Sequence, residues 1–221
     1  MFYIIRKGFK TLLVFLSLVA LIGIVYMLVL FPVHKYRENI TVDKSFDVNA
    51  ILKKSIPENF SIENRKFKTT ISLTEDELRN LILSELNNNE NIDGVEISVE
   101  NDEIGIYVKQ KTWKYFPTEL TFLLTSEIKD DKVKLILNEA KFGKINLNKE
   151  KVLNSVKANK IKFFNIVPLD GEIILEDEAL KDLFKVDAIR LSEHKASVDV
   201  KLELNSIQDL RKLMNLLTKI K

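Results

Sequence analysis

From Thr11 to Val33 the chain carries no charged side chain. Within this run stand Leu12 to Leu16, then Leu18 to Ile22, then Ile24 to Phe31, apolar blocks separated only by Ser17 and Gly23. A helix needs about 20 mostly apolar residues to cross roughly 30 Å of hydrocarbon, and this stretch is long enough. A helix buried in a soluble core would keep a polar face, and none is legible here. Ser17 and Gly23 are small and are tolerated in membrane helices. The run therefore predicts a transmembrane anchor over residues 11–33, preceded by a short cytoplasmic tail over 1–10.

A cleaved leader is the competing reading. Its apolar region runs about 7–15 residues and ends in a small-x-small cleavage site. The run here is longer and ends in Leu30-Phe31-Pro32-Val33-His34-Lys35, with no such site following. Lipid attachment would need a cysteine, and the chain has none. The segment is expected to remain as a signal anchor. Arg6, Lys7 and Lys10 precede it, and Lys35 and Arg37 follow, the latter beside Glu38. Basic residues near helix ends favour the cytoplasmic side, and the short tail is most easily left there. The expectation is a single-pass protein of the cell membrane, with its N-terminus cytoplasmic and its C-terminal domain extracytoplasmic.

The formal net charge is +2. Glu38 is the first acidic residue, so the five basic residues before it carry the surplus and the outer domain is net negative. That leaves no basic face for nucleic acid. A small domain from an oxidising eukaryotic compartment would usually carry disulfides, so the lack of cysteine favours a bacterial envelope protein.

Residues 34–66 are polar and irregular, and read as a stalk with a short helix around Val48–Lys54 that Pro57 ends. The extracytoplasmic domain follows over 67–221. Phe67 to Leu73 alternates as a strand. Thr74-Glu75-Asp76-Glu77 is a capping box opening a helix through about Asn87, with Leu78, Leu81, Ile82 and Leu86 on one face. Alternating strands come next: Val95, Ile97 and Val99, then a turn at Asn101-Asp102, then Ile104, Ile106 and Val108, then Glu119 to Ile128. After a turn at Asp130-Asp131 the return strand begins at Val133. Gly143 marks a break, and Asn148 caps a helix over Lys149–Ala158. Strands follow at Ile161–Val167, Glu172–Leu175, Val186–Leu191 and Ala196–Leu204, with a short helix over Glu178–Phe184 and a last helix capped by Ser206. The predicted fold class is α+β: one N-terminal transmembrane helix, then a mostly antiparallel, curved sheet packed with a few amphipathic helices. No βαβ alternation is visible.

Chemistry-bearing motifs are sparse. The chain has two histidines. His34 lies beside the anchor and His194 in a hairpin turn, and neither has a metal partner at ligand spacing, so both read as solvated. No nucleophile elbow, His-Glu-x-x-His or phosphate-binding glycine loop is present. The acidic clusters Glu75–Glu77 and Glu176–Glu178 read as helix N-terminal carboxylates. The expectation is a non-enzyme with no cofactor and no metal. The apolar features that strand alternation leaves over are Trp113, Tyr115 and Phe116, together with Phe163 and Phe164. They are candidates to line an apolar groove or a contact surface, the alternative being ordinary core packing.

The anchor, then Ile71-Ser72-Leu73-Thr74-Glu75-Asp76-Glu77-Leu78-Arg79-Asn80-Leu81-Ile82, then strands ending in Glu139-Ala140-Lys141-Phe142-Gly143-Lys144-Ile145-Asn146-Leu147, form a layout. It resembles the YpmS-like (DUF2140) family of Gram-positive membrane-anchored envelope proteins. The proline expected after the Gly-Lys segment is absent. The resemblance implies no catalytic residues and suggests kinship with curved-sheet envelope proteins that hold lipid. Together these readings describe a membrane-anchored, non-enzymatic envelope protein that binds lipid or a membrane-associated partner. The alternatives are a structural subunit of a membrane complex, or an enzyme acting on envelope precursors.

Overall fold

The computed structural model describes residues 2–36, 61–63, 66–86, 91–112, 115–129, 132–158, 164–175, 185–192 and 194–203. Helix α1 spans Phe2–Val29, with its side chains described from Val14 onward. Among the residues whose side chains are described, which in α1 are 14–29, no helix is long and apolar enough to cross a membrane. The apolar side chains from Val14 to Leu28 nonetheless stand 49–65% exposed, on every side of the helix. The helix stops where the sequence demands it. Leu30 and Phe31 both donate their N–H to the Tyr26 carbonyl, at 2.9 and 3.2 Å, and Pro32 disfavours helical geometry at the residue before it.

Beyond the helix the chain is α+β, and all its strand pairings among the described residues are antiparallel. Strands β1 (Ser61–Glu63) and β2 (Lys66–Thr74) precede helix α2 (Glu75–Leu86). A four-strand meander follows: β3 (Ile92–Glu100), β4 (Glu103–Thr112), β5 (Phe116–Lys129) and β6 (Lys132–Phe142). Then come β7 (Ile145–Asn146), helix α3 (Lys149–Ala158), β8 (Phe164–Val167), β9 (Glu172–Leu175), β10 (Lys185–Ser192) and β11 (Lys195–Glu203). The larger sheet has the order β3-β4-β5-β6-β9-β8, with β7 added beside β6. The smaller has the order β1-β2-β11-β10.

The local signals behave as their chemistry requires. At the start of α2 the Glu77 carboxylate accepts from the Thr74 N–H at 2.8 Å, and the Thr74 hydroxyl accepts from the Glu77 N–H at 3.3 Å. Asn148 Oδ1 accepts the Lys151 N–H at 2.9 Å and opens α3. Asn101 and Asp102 both take positive φ, 52° and 61°, as a two-residue hairpin with right-handed strand twist requires. The expected short helix over 48–54, the elements over 178–184 and the last helix after Ser206 lie outside the described residues.

The division into two sheets is what the alternation of residues did not reveal. Thr74 opposes Lys195, and Lys66 opposes Glu203, so β2 finds its partner more than a hundred positions along the chain. Periodicity reports which face a residue takes but not which strand lies beside it.

In the larger sheet the register sorts side chains cleanly. Val95, Ile97 and Val99 oppose Val108, Ile106 and Ile104, which in turn oppose Leu120, Phe122 and Leu124. This face is the core. Leu78, Ile82 and Leu83 of α2 and Leu191 of β10 cover its β3 side, and Leu153, Val152 and Val156 of α3 cover its β6 side. The opposite face presents Tyr107 beside Thr121 and Lys109 beside Glu119, a polar set.

Candidate functional site

The polar face of the larger sheet is where the chain emerging from α1 comes to rest. Residues 34–36, predicted to begin a stalk, lie along the sheet instead. His34 and Tyr36 project to the same side of this segment, since they share one partner on the sheet. Both reach Glu119, near the start of β5. The His34 N–H donates to Glu119 Oε2 at 3.2 Å, and the Tyr36 hydroxyl donates to the same oxygen at 2.8 Å. His34 Nδ1 lies 2.9 Å from Glu119 Oε1. An ionised carboxylate only accepts, so Nδ1 carries the proton in this contact. The Thr121 hydroxyl stands 3.5 Å from the same oxygen. His34 stacks on the Tyr107 ring, with centroids 3.7 Å apart and planes inclined by 25°. Lys109 Nζ sits 5.9 Å from the centre of the Tyr36 ring, within cation–π reach.

His34 was expected to be solvated. Its side chain keeps 41% of its exposure, but the ring is sandwiched by a specific partner on each account: a carboxylate at its edge and a phenol at its face. The reason is Glu119. A carboxylate whose side chain is only 5% exposed must find donors or protonate, and the segment after α1 supplies them. Burial alone would raise the Glu119 pKa. The hydrogen bonds from the His34 ring, Tyr36 and the His34 N–H outweigh it and hold the carboxyl below its ordinary range. The same carboxylate acts in reverse on its neighbours. Burial first, and then the Glu119 charge, push the Tyr36 and Tyr107 hydroxyls upward, so both stay protonated.

A second set of contacts ties the last turn of α1 to the same corner. The Tyr26 hydroxyl donates to the Pro117 carbonyl at 2.6 Å, and its ring meets Phe116 edge-on at 5.3 Å. The Val29 carbonyl accepts the Lys144 N–H at 2.8 Å. Gly143 makes this approach possible. Its φ is +58°, and a Cβ there would run into the Val29 carbonyl oxygen and stand 2.7 Å from Leu30 Cα. Gly94 serves Tyr36 in the same way, since a Cβ at Gly94 would lie 3.1 Å from the Tyr36 ring.

Of the aromatic residues singled out from sequence, Tyr115 and Phe116 sit at this corner, 82% and 45% exposed. Trp113 and Phe163 lie outside the described residues. Phe164 is in β8, three strands from β5 in the sheet, or roughly 14 Å at about 4.8 Å per strand. Its neighbour β9 pairs with Lys134–Ile136, toward the far end of β5, so β8 is not brought to the Tyr115–Phe116 corner. The site that forms was missed because its key residue looked ordinary. Glu119 takes a polar position in an alternating strand, where a carboxylate is ordinary and carries no local signal.

Chemically this arrangement is a clamp. Its carboxylate is filled with donors, Tyr36 is fixed as one of them, and no serine or threonine hydroxyl is poised on the imidazole among the described contacts. Among the described residues no group of three or more histidine, aspartate or glutamate side chains is placed to hold a metal ion. No protein-family model matches the chain, and neither a curated protein nor a solved structure matches it.

Proposed function

We propose that this chain is a membrane-anchored, non-enzymatic envelope protein that carries its folded domain directly on the outer end of its anchor, where the domain meets lipid or a membrane-associated partner. The observation that carries the reading is the pairing of two features in one continuous segment. Within the uncharged run, α1 exposes its apolar side chains from Val14 to Leu28, and the chain leaving it is bound at once to the sheet through Tyr26, Val29, His34 and Tyr36. An all-round apolar helix suits lipid rather than water. The clamp removes slack at the helix exit, so a domain joined this way stays at the surface of the bilayer. The basic residues Arg6, Lys7 and Lys10 before the run favour the cytoplasmic side for that end of the helix.

Topology is the decisive test. A reporter fused after Lys221 is expected to be active only outside the cytoplasm, and protease added to wall-stripped cells is expected to degrade the domain. A domain protected from that protease until the membrane is lysed overturns the reading.

A further inference from the structure

We infer that the corner of the larger sheet beside α1 is a second membrane contact: a collar of Phe31, Tyr115, Phe116 and Ile145, with Lys144 among them, seated in the headgroup region of the bilayer that α1 crosses. This rests on the anchor reading above and adds the depth and the residues of contact.

The collar is largely apolar and exposed in part. Tyr115 is 82% exposed, Ile145 49%, Phe116 45% and Phe31 42%. It is also continuous with the exposed surface of α1. The Tyr26 ring meets Phe31 edge-on at 6.4 Å and Phe116 at 5.3 Å, while Lys144 is bonded to the Val29 carbonyl. Tyr26 thus ties the last turns of α1 to Phe31 and Phe116 of the collar.

Helix geometry sets the depth. The last basic residue before the run is Lys10. At about 1.5 Å per residue, the helix from Thr11 to Val29 is roughly 28 Å long, close to the hydrocarbon thickness of about 30 Å. Val29 then falls at the outer hydrocarbon boundary, and Tyr26 one turn inside it. Phe116 packs against Tyr26 and cannot stand clear of the interface. The residue types agree: rings with a polar edge and a lysine with a long apolar stem are what the headgroup region favours.

The single tryptophan of the chain makes the test direct. In the full-length protein Trp113→Phe removes the native fluorophore. Phe116→Trp then reports on the collar, and Leu21→Trp, made separately, reports on the middle of α1. Each is reconstituted in phosphatidylcholine vesicles whose acyl chains are brominated near the headgroup or near the chain end. The Phe116→Trp fluorescence should be quenched strongly by the shallow bromines and weakly by the deep ones, with the reverse order for Leu21→Trp. Quenching of Leu21→Trp with none of Phe116→Trp overturns the collar and leaves the anchor. No quenching of Leu21→Trp overturns the anchor itself. Quenching of Phe116→Trp that disappears as protein is added at fixed lipid shows a second copy covering the corner, and also overturns the collar. Ile145→Trp in the same background repeats the measurement should Phe116→Trp fail to fold.

Discussion

Both histidines of this chain are held by a glutamate at almost the same distance, and the two pairs differ in nearly everything else. His34 Nδ1 is 2.9 Å from Glu119, and His194 Nδ1 is 3.0 Å from Glu75. Glu119 lies on the sheet under the segment leaving α1, with 5% of its side chain exposed against 19% for Glu75. It collects a second donor from His34 and a third from Tyr36. Glu75 sits at the N-terminus of α2 and joins the two sheets at their rim. One oxygen accepts the Val99 N–H of β3 at 2.7 Å, and the other meets His194 in the β10–β11 turn. The His194 ring is 67% exposed. Contact distance therefore does not rank these pairs. Desolvation and the number of donors orphaned by a deletion do.

The largest effect should come from removing the more buried carboxylate. Glu119→Ala strands the Tyr36 hydroxyl and the His34 N–H, and is expected to cost roughly 2–4 kcal/mol. Glu75→Ala strands one important donor, the N–H of Val99, a residue with no exposure, and is expected to cost about 1–2 kcal/mol. Thermal melting of the full chain in detergent, followed by the circular-dichroism signal of the sheets, measures both. A larger loss for Glu75→Ala would reverse the comparison.

Acid should act on the same site in one direction. The folded protein holds the Glu119 carboxyl below its ordinary pKa of 4.5, so the unfolded chain takes up the proton first as pH falls. The stabilisation is complete above about 4.5 and is lost as pH drops through the lower folded value. Asp199, held down by Arg190 and Thr70 against its own burial, contributes a similar acid slope elsewhere. The part due to Glu119 is the difference between wild type and Glu119→Gln. Wild-type melting temperature should fall more steeply below pH 4.5 than that of the variant. Parallel curves would show that the clamp carries no linked proton.

Much of the fold was legible because local chemistry decides it. Thr74 and Glu77 announce α2, Asn148 announces α3, and Asn101-Asp102 announce the first hairpin of the meander. The pairing of β2 with β11 was not legible, because nothing in either strand names its partner. The clamp was hidden for a related reason. His34, Tyr36 and Glu119 are each unremarkable in their own neighbourhoods, and become a unit only when the chain folds back by more than eighty residues. The best local clue was Gly143, whose need for positive φ marks a turn but not the helix end that the turn receives.

A smaller effect separates the donors within the clamp. Tyr36→Phe keeps the ring beneath Lys109 and against Gly94 while deleting one hydroxyl. Glu119 retains the two His34 donors, so the expected loss is about 1 kcal/mol, well short of Glu119→Ala. The same melting measurement checks it, and a loss equal to that of Glu119→Ala would mean that Tyr36 alone holds the segment down.

The smallest expected effect belongs to His194, although its ring makes the same kind of contact as His34. An exposed pair gains little, because water competes for both groups and ordering the side chain costs entropy. What fixes the β10–β11 turn is backbone. The His194 N–H donates to the Val99 carbonyl at 3.0 Å, and the His194 carbonyl accepts the Glu75 N–H at 3.3 Å. Any residue at this position keeps those two bonds. What it must also tolerate is the φ of +66°, which asparagine accepts more readily than alanine. His194→Asn is therefore expected to change stability by no more than about 0.5 kcal/mol, and His194→Ala to cost slightly more through backbone strain alone. Added salt should leave both differences unchanged. A loss for His194→Asn that approaches that of Glu75→Ala, and shrinks as salt is raised, would show that the exposed ion pair joins the sheets after all.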